Sequence, residues 1–69
     1  MECLERERLK TELARSLDAI VACAGRFHDA VTAARLESVR VLDQELRIAV
    51  AAKELAFEAF IQHCNDHGC

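Results

Sequence analysis

The chain has 69 residues, 52% hydrophobic and 30% charged, with a formal net charge of −3, four cysteines and no proline, tryptophan or tyrosine. A chain this short is one domain at most, and its own core supplies no more than about 3–5 kcal/mol, so a staple or a partner is expected. The scattered basic residues exclude the basic stripe of a nucleic-acid binder, the charged start MECLERERLKTE is not a signal peptide, and the longest apolar runs, Ala19–Gly25 and Ile48–Ala52, are too short to span a bilayer.

Twelve alanines and the absence of proline are a helical composition. From the N-terminus, apolar residues fall at Leu4, Leu9, Leu13, Leu17, Ile20, Ala24, Phe27 and Val31. After Leu9 the steps are threes and fours, the mark of a helical face. Glu2–Arg6, Glu5–Arg8 and Glu7–Lys10 are spaced to pair along its outer side. A first helix over about 2–32 is expected. Within it, Cys23 in Ala22-Cys23-Ala24-Gly25 reads as a core or dimer-contact thiol. Gly25 reads as a point of close approach by a neighbouring helix, and His28 as a surface or interface histidine.

The periodicity loses phase around Thr32–Ser38. Read as a turn over about 33–37, it folds the chain into an antiparallel hairpin, with Arg35 at the negative end of the first helix dipole and Ser38 as N-cap of the second helix. The competing reading is one unbroken helix with a stutter, about 100 Å long, and no Gly or Pro marks a turn.

The second helix is expected over about 38–67. Its stripe runs Val39, Leu42, Leu46, Val50, Phe57, Ile61, Cys64, with Lys53 filling the gap and snorkelling outward. Folding back sets Leu9 opposite Ile61, Leu13 opposite Phe57, Ile20 opposite Val50, Ala24 opposite Leu46, Val31 opposite Val39 and Cys3 opposite His67. Ile48, Ala52, Leu55 and Ala59 are apolar off that stripe, which widens the apolar face beyond what one neighbour covers. The expected architecture is therefore all-α: a two-helix antiparallel hairpin that pairs with a second copy into a four-helix bundle. Leu46, Val50, Phe57, Phe60 and Ile61 are the candidate homodimer interface, and another protein is a further possible partner.

The chain ends His63-Cys64-Asn65-Asp66-His67-Gly68-Cys69. Doubling back brings Cys3, His63, Cys64, His67 and Cys69 to one tip. His63 and His67 share a helical face, Gly68 suits a helix end, and five nitrogen and sulfur candidates exceed the four a zinc ion takes. The open alternatives are a zinc site, a disulfide from Cys3 to Cys64 or Cys69 or between copies, a redox thiol at Cys3, or a helix end with no cofactor. No glutamate is followed three residues later by histidine, and no phosphate loop or nucleophile triad is present. Catalysis is not expected. The leading expectation is a cytoplasmic, non-enzymatic protein-interaction module acting through homo-oligomeric packing. The alternative is a small metal- or thiol-responsive protein.

The start Cys3-Leu4-Glu5-Arg6, combined with the ending His63…His67-Gly68-Cys69, resembles short bacterial proteins of unknown function that share a helical-hairpin pattern. The resemblance implies a hairpin, and it carries over neither an activity nor any functional residue.

Overall fold

The computed structural model describes residues 3–67; Met1, Glu2, Gly68 and Cys69 lie outside the described residues, and with them the expected Glu2–Arg6 pair and the helix end at Gly68. Two helices form a hairpin, α1 over Leu4–Thr32 and α2 over Leu36–His67, with no strand among the described residues. The principal-axis extents are 52 × 15 × 11 Å, which rules out the single 100 Å rod.

The turn takes only Ala33, Ala34 and Arg35. Ala34 adopts a left-handed conformation, with φ at 55°. The Ala34 amide donates to the Val31 carbonyl and the Arg35 amide to the Ala30 carbonyl, each at 3.0 Å. These two bonds satisfy carbonyls that the end of α1 leaves without helical partners, in the Schellman arrangement that glycine usually closes. The Arg35 carbonyl then accepts the Val39 amide at 2.9 Å, opening α2. The second helix thus starts before Ser38, which lies inside it rather than capping it. Arg35 leads into α2 instead of completing α1, whose last turn carries no basic residue.

The packed seam follows the seven-residue repeat of a coiled coil. Partly or fully shielded on α1 are Arg6, Leu9, Leu13, Ser16, Ile20, Cys23, Phe27 and Ala30. On α2 they are Val39, Leu42, Leu46, Ala49, Lys53, Ala56, Phe60 and His63, with Asp43 and Cys64 partly shielded beside Leu42 and His63. Run in opposite directions from the turn, the two series set Leu9 level with Phe60, Leu13 with Ala56, Ile20 with Ala49, Cys23 with Leu46 and Ala30 with Val39. At every one of these levels but Leu9–Phe60 a large residue meets a small one, which lets helix axes approach closely. Leu17, Ala24 and Val31, expected on this seam, are exposed, as are Val50, Phe57 and Ile61. Each sits one residue, or about 100° of helix rotation, beyond a seam member. The size-led stripe followed the largest side chains, whereas the seam uses Ser16, Cys23, Ala30, Ala49 and Ala56. The facing pairs drawn from that stripe shift accordingly.

Among the described residues, only Leu9, Cys23 and Ala30 are buried. Cys23, at 3% exposure, is the core thiol expected, and its Sγ donates a long contact of 3.7 Å to the Leu42 carbonyl. Gly25 is not a close-approach point, since a Cβ built there meets nothing within 4 Å. No helix among the described residues is long and apolar enough to cross a membrane.

Candidate functional site at the open end of the hairpin

The hairpin leaves two features with chemical or binding potential: the thiol and imidazole groups at its open end, and the apolar side chains outside its seam. The first depends on how α1 begins. Cys3 holds the N-cap position in extended backbone, and its side chain does not cap its own helix. Its carbonyl accepts the Glu7 amide at 3.2 Å. The thiol instead reaches across to α2, where Sγ lies 2.9 Å from His63 Nε2. The partner expected by doubling back was His67. The thiol meets His63, one helical turn earlier, where α2 is half-buried; Cys3 itself lies in extended backbone ahead of α1, outside the helical register.

His63 is the last seam residue of α2 and is half-buried, as are Cys3 and the adjoining thiol of Cys64. The His67 ring stacks on that of His63, with centroids 4.5 Å apart and planes at 29°. The i,i+4 spacing therefore produces a stack rather than a chelate. Imidazole lone pairs lie in the ring plane, so nearly parallel rings do not aim them at one point. Among the described residues, no three His, Cys, Asp or Glu side chains gather where they hold a metal ion. Cys3, His63, Cys64 and His67 as placed do not fit a zinc tetrahedron, and Cys69 lies outside the described residues.

Just beyond this tip, α1 carries a charged surface network. Arg8 pairs with Glu5 and, at 2.6 Å, with Glu12; Lys10 pairs with Glu7 at 2.9 Å and Arg6 with Glu7 at 3.3 Å. The hydrogen bond and charge of Lys10 hold the Glu7 carboxyl below its ordinary range, with Arg6 adding to the effect. The hydrogen bond from Arg8 to Glu5, with the charges of Glu12 and Glu5, raises the Arg8 guanidinium above its ordinary value. Apart from the partly shielded Arg6, these groups are exposed, so such pairs add little to stability.

The second feature is the apolar surface. Of the five residues expected to form an oligomer interface, Leu46 and Phe60 belong to the hairpin's own seam, while Val50, Phe57 and Ile61 are exposed. In an antiparallel pair, the positions flanking the seam on one side come from both helices. The Arg26–Glu45 ion pair, at 3.5 Å, bridges α1 and α2 on one flank. Val50 and Phe57 fall on the opposite flank, the side to which Leu17 and Ala24 of α1 also belong. Val21, 71% exposed, lies next to Leu17 on that side, and Ile61 lies next to Phe57. Leu17 and Ala24 were expected on the seam rather than on this flank, where Ala14, Leu17, Val21 and Ala24 repeat at threes and fours. Ile48 and Leu55 of α2 form a separate exposed ridge with Val41, toward the Arg26–Glu45 side. A shallow groove near the turn, lined by Arg26, Glu37, Ser38, Val41, Leu42 and Glu45, is too open to serve as an enclosed ligand pocket.

Comparison with protein-family models, with curated proteins and with solved structures finds no match for the chain.

Proposed function

We propose that the protein is a small, non-enzymatic interaction module whose working form is a homodimer, two hairpins packed into a four-helix bundle. The observation that supports this is an inverted apolar distribution. Among the described residues, eleven large apolar side chains are exposed, whereas the buried core consists of Leu9, Cys23 and Ala30. A lone hairpin with so thin a core is marginal, and a contiguous apolar face is what a second copy covers.

The face assigned to the partner copy is the flank carrying Val50, Phe57 and Ile61 of α2 beside Leu17 and Val21 of α1. Both helices contribute to it, and it lies away from the Arg26–Glu45 pair. A two-fold axis brings this face onto itself. The expected interface is thereby narrowed to Val50, Phe57 and Ile61, with Leu17 and Val21 added. Leu46 and Phe60 act indirectly, by holding the hairpin closed.

Sedimentation equilibrium tests this. The native chain is expected to sediment as a dimer, and Phe57→Glu to shift it to a helical monomer. Phe57→Ala removes the exposed aromatic anchor and is expected to weaken dimerisation by about 1–2 kcal/mol, or roughly tenfold in Kd. Ile48→Glu and Leu55→Glu are expected to leave the dimer intact. A native chain that stays monomeric at micromolar concentration and above, yet fully helical, overturns the proposal and leaves a different protein as the occupant of this face.

A further inference from the structure

We propose that the open end of the hairpin is a peroxide-responsive thiol site, in which Cys3, activated by His63, is oxidised and then joined to Cys64. This inference does not rest on dimerisation. Three observations place it here. The Cys3 Sγ stands 2.9 Å from His63 Nε2, hydrogen-bonding distance for proton transfer between thiol and imidazole. Cys3 also precedes the first turn of α1, where unpaired helix amides favour negative charge. Finally, Cys64 is a thiol on the residue directly after His63, half-buried and on the same flank of the seam as Cys3. Cys23 shares none of this, being buried in the seam against the Leu42 carbonyl.

The oxidant is hydrogen peroxide. His63 Nε2 takes the thiol proton as the Cys3 sulfur attacks the nearer peroxide oxygen. A sulfur–oxygen bond forms and the oxygen–oxygen bond breaks. The sulfur loses two electrons, and the departing hydroxide recovers the proton from His63 and leaves as water. The product is a sulfenic acid. The Cys64 sulfur then attacks the Cys3 sulfur. A disulfide forms, the sulfur–oxygen bond breaks, and the released hydroxide takes the Cys64 proton to give a second water. Bridging requires Cα atoms to come within about 4.4–6.8 Å. Cys3 lies outside the helix proper, so it can adjust at the expense of one helical bond, that from the Glu7 amide. The resulting link ties the two helices at the pole opposite the turn, so oxidation converts a marginal hairpin into a stapled one.

The test exposes the full-length reduced chain to a small excess of hydrogen peroxide, followed by alkylation and peptide mapping. Cys3 is expected to react at least roughly tenfold faster in the folded chain than in urea, with the product a Cys3–Cys64 disulfide and Cys23 still reduced. In Cys64→Ser, dimedone is expected to trap a sulfenic acid at Cys3. His63→Gln is expected to slow Cys3 oxidation roughly tenfold, with helicity checked by circular dichroism. Equal Cys3 rates in folded and unfolded chain overturn the proposal without any variant. A mapped disulfide that omits Cys64, or a His63→Gln chain that stays helical and reacts at the native rate, also overturns it.

Discussion

Ala34 bears a cost that glycine would not. Its φ of 55° is the left-handed region, which costs an L-residue roughly 1–2 kcal/mol. Glycine removes that strain but gives the unfolded chain extra freedom, about 0.4–1 kcal/mol. The strain is the larger quantity, so Ala34→Gly is expected to raise stability by about 0.5–1 kcal/mol in urea titration. Gly25 is the reverse case. Nothing stands within 4 Å of where its Cβ would sit, and it lies well inside α1. Gly25→Ala is expected to gain about 1 kcal/mol by helix propensity alone; a loss would mean that some other chain packs against that backbone. At Glu7 the folded-state titration is displaced downward, chiefly by the Lys10 hydrogen bond. A depressed folded value favours the fold above the unfolded value near 4.5, and that support disappears as acid protonates the carboxyl. Amides in the first turns of α1 are therefore expected to exchange faster, relative to their intrinsic rates, at about pH 3 than at about pH 6. Lys10→Gln is expected to flatten that difference.

At the scale of the element, the middle of the seam contains a polar level, Ser16 beside Lys53. The Lys53 side chain is only 27% exposed, and its ammonium escapes by reaching Glu54 Oε1 at 2.6 Å. Polar seam residues of this kind fix register at the expense of stability. Lys53→Leu is expected to raise the urea midpoint while loosening the choice of register, visible as doubled or broadened amide resonances. The two helices and the break between them were legible because steps of three and four persist on both sides of Thr32–Ser38. Which residue of each turn faces inward was not legible. Leu17 outweighs Ser16, and Val50 outweighs Ala49, so a reading by size selects the neighbour of the true seam residue. That the start of the chain meets its histidine-bearing end followed from doubling back alone. Which imidazole takes the thiol was not legible, because Cys3 leaves the helical register in extended backbone and the turn is closed by Ala34, whose left-handed backbone has no glycine to announce it.

For the whole molecule, shape separates side-by-side pairing from end-to-end growth. The hairpin has a Cα radius of gyration of 15.6 Å and is 52 Å long. Side-by-side packing into a bundle doubles the mass with little change in length, so small-angle scattering is expected to give a maximum dimension near that of one hairpin plus its side chains. A particle roughly twice as long would place the contact at the tips instead. The thickness of 11 Å has a thermal consequence. A plate one helix deep exposes little additional oily area when it melts as a single chain, and that area sets the heat-capacity increment of unfolding. The isolated plate should therefore melt over a broad span with a small calorimetric step. A doubled plate should melt sharply, at a temperature that climbs with protein concentration.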